Sequence, residues 1–139
     1  MIKTIKTGEK RTYERIITQA DVNQFGNLTK DMNKAHFCPN YTKNTVFKKP
    51  IVHGMLLGSL FSCIFGLDYP GEGTIYCSQS LKFLKPVYPD VPLQVVVTVK
   101  EVILEKNRVI FTTEIFDEEG TCCLTGEAVL MPRKAEQHE

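Results

Sequence analysis

Residues 51–66 read IVHGMLLGSLFSCIFG, the longest apolar run in the chain, and how this run is read decides the fold. A bilayer-spanning helix needs about 20 apolar residues. This run is 16 long and carries His53 and two serines, so it reads as a buried helix of a soluble domain. Gly54, Gly58, Ser62 and Gly66 recur every fourth residue and share one helical face. Each helical glycine costs about 1 kcal/mol relative to alanine, so something must come close to that face. Two readings stay open: the stripe packs tightly against a sheet, or it makes room for a ligand. The membrane G-x-x-x-G reading fails on length.

Downstream of the loop DYPGEG (68–73) the apolar pattern changes from helical to strand-like. TIYCSQSLKFLKPV (74–87) alternates at 81–85, and VPLQVVVTVKEVIL (91–104) is long and β-branched. NRVIFTTEIFD (107–117) answers it across the tight EKN, and DEEG (117–120) turns into TCCLTGEAVLM (121–131). Upstream, RTYERIIT (11–18) predicts a first strand. Thr18 with Asp21 forms a capping-box-like start, and Val22, Phe25 and Leu28 continue at helical spacing over roughly 19–28. Residues 30–49 predict an irregular loop with a short helical turn. The fold class is therefore α+β, one curved antiparallel sheet packed on a mostly apolar helix. A single domain is expected over 1–131, followed by a frayed polar tail at 132–139.

Composition removes several functions. A chain of 139 residues suffices for one hydrophobic core. Its net charge of +1 offers no field to recruit nucleic acid or an anionic membrane, and the basic residues are scattered. Five cysteines, with no C-x-x-C pair, predict free thiols in a reducing cytoplasm. His36, His53 and His138 share no metal-ligand spacing, so no metal is expected. The basic N-terminus lacks the apolar core of a signal peptide.

The segment LTKDMNKAHFCPN (28–40) places Asp31 and His36 five residues apart in a loop. A carboxylate and an imidazole can divide acid and base work, since each tunes the other's proton affinity. The bland alternative is an Asp that caps a turn and a His that packs. No serine or thiol nucleophile signature accompanies them, so proton transfer without a covalent intermediate is the simpler chemistry. KKPIVHGM (48–55) runs from a proline into the buried helix and leaves the Gly54 amide at a helix start. That amide could hold an oxyanion on a substrate carbonyl, and a glycine there admits close approach.

DMNKAHFCP (31–39), KKPIVHGMLLGSLFS (48–62) and GTIYCSQSLKFLKPV (73–87) together resemble the MaoC-like dehydratases, specifically the (R)-specific enoyl-CoA hydratases. The likeness runs from about Gly8 to Met131, and the combination of motifs is specific where each alone is weak. The resemblance implies a hot-dog fold, an antiparallel sheet wrapped around a central helix, in a homodimer or in two stacked as a tetramer. It implies reversible hydration of trans-2-enoyl thioesters to (R)-3-hydroxyacyl thioesters, carried on coenzyme A or acyl carrier protein, without cofactor or metal. Asp31 and His36 become the catalytic pair, Gly54 the oxyanion donor, and Asn33 the residue that orients the loop. Lys34 departs from the family's usual proline, which loosens the loop backbone. Ser62 and Phe65 are expected to border the acyl pocket. Rival expectations are a hot-dog thioesterase, whose usual helix carboxylate is missing over 51–66, and a non-catalytic module that binds acyl thioesters.

Overall fold

The computed structural model describes residues 1–134. Strands β1 (Lys10–Ile16), β2 (Ile75–Gln79), β3 (Lys82–Phe83), β4 (Pro92–Ile103), β5 (Arg108–Phe116) and β6 (Cys122–Met131) form one antiparallel sheet. Its order is β1-β4-β5-β6-β2, with β3 also paired to β6. The strict alternation of β4 and β5 sets the register. Val95 faces Ile115, Val97 faces Thr113 and Val99 faces Phe111, all buried on one side. A shift of one residue would turn this entire apolar set to solvent, so the pattern fixes the pairing.

The central helix lies on that buried side. Beyond α2, the short helical turn Pro39–Thr42 in the preceding loop, it consists of α3 (Gly54–Gly58) and α4 (Leu60–Cys63), joined through a helical Ser59, and a wide final turn Ile64–Asp68. Leu57, Phe61, Ile64 and Phe65 recur at the 3.6-residue period and are buried against the sheet, where Phe65 meets Phe111 at 4.8 Å between ring centroids. A sheet wrapped on one apolar helix is the α+β hot-dog arrangement that the resemblance implies.

The expected helix limits need correction. Residues 51–53 are extended, because the Ile51 amide donates to the Ala35 carbonyl (2.9 Å) and the Val52 amide to the Val87 carbonyl (2.8 Å). These are amides that a helix start would leave unpaired, and the flanking chain takes them first. At the other end the helix passes Gly66 and reaches Asp68. The single strand expected over 74–87 is broken in two. Ser80 sits between β2 and β3, its amide donating to the Glu127 carbonyl (2.9 Å) and its hydroxyl accepting from the Glu127 amide (2.9 Å).

The break also explains part of the glycine stripe. A Cβ on Gly54 would stand 2.6 Å from the Phe83 ring, and one on Gly58 would stand 2.9 Å from Leu81, whereas one on Gly66 would meet nothing within 4 Å. Two of the glycines therefore let the β2–β3 segment close onto the helix, which favours the packing reading at those positions.

At the N-terminus, helix α1 (Gln19–Thr29) carries the full capping box. The Thr18 hydroxyl accepts from the Asp21 amide (3.1 Å), and the Asp21 carboxylate accepts from the Thr18 amide (2.9 Å). Val22 and Gly26 form its buried face, while Leu28 is 81% exposed, so the stripe expected through Leu28 turns away from the core after Phe25. Pro132, at the start of the expected tail, is buried and accepts from the Asn107 side chain (2.9 Å). Residues 135–139 of that tail lie outside the described residues. No helix among the described residues is long and apolar enough to cross a membrane.

Candidate active site

The loop between α1 and the extended residues 51–53 is built to lie on its own helix. Lys30 ends α1 in the left-handed region (φ 67°), and the chain doubles back across Gly26. A Cβ on Gly26 would be 2.5 Å from the Phe37 ring and 3.2 Å from the Asp31 carbonyl, so only glycine admits the loop there. Asn33 accepts the Ala35 amide through its side chain (2.9 Å) and caps a single 3-10 turn at Lys34–His36. The turn forms with Lys34 in place of proline and brings His36 back towards Asp31.

His36 is half-buried, and its Nδ1 is 2.8 Å from the Ile51 carbonyl. A carbonyl only accepts, so Nδ1 carries the ring hydrogen and Nε2 holds the lone pair. Burial pushes the imidazole below its ordinary value of 6.5. The neighbouring His53 adds to this, while the Ile51 bond and the Asp31 charge oppose it. The Asp31 side chain is 51% exposed, and its carboxylate accepts weakly from the Asn33 amide (3.4 Å).

His53 is the member of the site that sequence reading missed. It is 2% exposed and its ring stacks on His36, with centroids 3.8 Å apart and planes inclined by 23°. Its Nε2 lies 3.0 Å from the Asp31 main-chain carbonyl and 4.0 Å from the Asp31 carboxylate. Asp31, His36 and His53 each present an atom within 4.8 Å of the others. Two of the imidazole nitrogens already face carbonyls, and near-parallel rings do not aim lone pairs at one point, so the trio is poorly arranged to hold a metal. The signal for His53 was available, since a histidine directly before the helix-opening glycine sits at the mouth of any site built on that glycine.

A cleft of about 440 Å³ opens over this trio. Asp31, His36 and Gly54 all line it, and apolar walls come from Phe47, Met55 and Phe83. The structure thus brings together the expected acid, base and amide donor. The expected acyl-pocket residues are not brought there within this chain. The helix turns Ser62 to solvent and buries Phe65 against Phe111 and Tyr76, and neither lines the cleft. Asp68 is the only carboxylate the helix gains by running on past Gly66. It lies at the far end and pairs with Arg11 (4.0 Å), so it gives the thioesterase expectation no helix carboxylate at the cleft.

Comparison with known proteins identifies the family. The model of the MaoC like domain matches residues 2–119, and the chain belongs to that family. An (R)-specific enoyl-CoA hydratase of Aeromonas caviae is 38% identical over 128 residues, spanning 92% of this chain and 96% of the relative. One of Rhodospirillum rubrum is 37% identical over 126 residues, spanning 91% and 83%. Among solved structures, the (R)-hydratase from A. caviae involved in PHA biosynthesis superposes with a TM-score of 0.88, covering 92% of this chain and 97% of that one. An unliganded R-hydratase from Pseudomonas aeruginosa, 35% identical, gives 0.88 over 99% and 91%.

Proposed function

We propose that this member of the MaoC-like domain family is a hydro-lyase, an (R)-specific enoyl-CoA hydratase that adds water reversibly to trans-2-enoyl thioesters. The observation that carries the proposal is the 2.8 Å contact of His36 Nδ1 with the Ile51 carbonyl, which leaves Nε2 as the lone-pair nitrogen. That ring lines the cleft beside Asp31, and a ring nitrogen of His36 lies within 4.8 Å of an Asp31 carboxylate oxygen, a span one water can bridge. In this reading His36 Nε2 takes one proton from that water while Asp31 accepts a hydrogen bond from the other O–H. The hydroxyl oxygen bonds to C3, the C2=C3 electron pair moves into the thioester as an enolate, and the Gly54 amide holds the enolate oxygen. The proton on His36 then passes to C2, which restores the base. The names carried by relatives of 37–38% identity support the same reaction and the coenzyme A thioester as substrate class. Five free cysteines fit a reducing compartment and support a cytoplasmic enzyme.

The test is incubation of the protein with crotonyl-CoA while enoyl-thioester absorbance and free thiol are followed together. Loss of absorbance without thiol release is the expected result. Thiol release would mean a thioesterase, and no change in either would mean a binding module. The expected pH dependence follows from the lowered His36 value. The base works only when neutral, so kcat/KM should be level through neutral pH and fall only below pH 6.5. An acid limb centred above 6.5 would defeat the assignment.

We also propose a symmetric homodimer. Strand β2 ends the sheet with one edge unpaired, and Ile75 (55%) and Tyr76 (36%) on it are exposed, as is Leu67 (74%) at the end of the helix. An exposed apolar edge strand invites pairing with another chain, and a second copy would satisfy it. Light scattering at micromolar protein should return twice the chain mass of 15.8 kDa or a multiple of that dimer. A monomer mass would reject this proposal.

A further inference from the structure

His53 is the buried titratable group that the chemistry above leaves unused. It occupies the position before the helix, where a short polar side chain would ordinarily cap the first amides, yet its side chain makes no cap bond. The ring turns back onto the loop instead. Its Nε2 faces the Asp31 carbonyl at 3.0 Å, and because a carbonyl only accepts, Nε2 carries a hydrogen and donates it. One face lies on His36 at 3.8 Å, and Phe25 (4.8 Å) and Phe37 (5.6 Å) crowd the ring. Its Nδ1 is buried with no hydrogen-bond partner. A buried nitrogen left unpaired costs stability, so this position is not occupied by the best-packing residue.

We infer that His53 is the positioning residue of the acid–base pair: its Nε2–H holds the Asp31 backbone, and its ring face fixes the plane of His36. This inference rests on the hydratase reading above. The need for such a clamp comes from the loop. Asp31 and His36 sit on irregular chain that lacks a proline at Lys34, and a 1 Å misplacement of reacting groups can cost about 10²-fold in rate. Other anchors act on other atoms, with Asn33 holding Ala35 and Ile51 holding one edge of His36. Asn33 also bonds both members, but at the Asp31 carboxylate (3.4 Å) and the His36 main-chain amide (3.0 Å); among the described contacts only His53 joins the Asp31 main chain to the His36 ring. Histidine meets both demands, whereas phenylalanine offers the flat face without the donor and glutamine the donor without the face.

These two substitutions therefore separate the two contacts. In the full chain, His53→Phe should keep the His36 ring in a single tautomer by 15N imidazole NMR but speed amide exchange over 31–33. Its kcat should fall about 10–100-fold with KM within about threefold of the parent. His53→Gln should restore the amide protection, give mixed or broadened His36 ring signals and show an intermediate kcat. Cooperative unfolding checks that each variant folds, and if His53→Phe does not, the His36 signals of His53→Gln decide alone. Parent-like kcat and parent-like His36 signals in the folded variants would overturn the inference. If the parent does not hydrate crotonyl-CoA, the functional reading falls, while the NMR and exchange measurements still decide whether His53 positions the pair.

Discussion

Asp31→Asn and His36→Ala should each lower the turnover of crotonyl-CoA hydration by roughly 10²–10⁴-fold, the scale of a positioned proton transfer. Asparagine keeps the size of Asp31 and an oxygen to accept from the Asn33 amide (3.4 Å), but it is a far weaker acceptor for the attacking water. Alanine at 36 removes the ring nitrogen that takes and returns the proton in the proposed mechanism. Neither change should unfold the protein. Asp31 is half-exposed, and His36 contributes one hydrogen bond to Ile51, worth about 1 kcal/mol. The double variant should lose little more than the worse single one, because in the proposed mechanism both groups serve one water and act as a unit. Near-parent turnover in either folded variant removes that residue from the mechanism. Multiplicative losses in the double variant would mean that the two groups act in separate steps.

Most of the scaffold was legible because its signals are local and periodic. The alternation of β4 and β5, the Thr18–Asp21 capping box and the apolar period through Leu57, Phe61 and Phe65 each state their own conformation. The limits of the central helix were not legible. Its start is set by Ala35 and Val87, whose carbonyls take the Ile51 and Val52 amides from 16 and 35 residues away. Asp31 and His36 could be singled out as candidates from their spacing and the family resemblance, but their mutual geometry could not. The tautomer of His36 depends on a carbonyl 15 residues later, and the stack with His53 joins two segments that share no sequence period. Spacing alone also could not divide the faces of the central helix. Phe65 shares the apolar period that faces the sheet, so its bulk fills the core and not the cleft.

The largest expected effect on stability belongs to a residue far from the chemistry, Gly126 in the middle of β6. Glycine inside a strand weakens it and marks a close approach of another backbone. Here that backbone is Ser80, at the break between β2 and β3. A Cβ on Gly126 would overlap the Ser80 carbonyl oxygen and stand 2.8 Å from its carbonyl carbon. Neither atom can rotate aside as a side chain would, so relief requires the whole segment to lift from β6. Lifting it would strain the Ser80–Glu127 bonds and the bond from Gln79 to buried Thr113 (2.9 Å). It would also move Phe83, which is packed on Gly54 at the cleft. Gly126→Ala should therefore cost about 2–4 kcal/mol, at or above the usual range for overpacking, and should weaken hydration as well. Gly66→Ala is the control. It adds the same methyl group to a helical position with nothing within 4 Å, so it should be neutral or stabilising by up to about 1 kcal/mol. Urea unfolding of the two variants beside the parent reads both effects. If Gly126→Ala unfolds at the parent's midpoint, the β2–β3 segment is free to move, and the wall it forms over Gly54 is not held from this side.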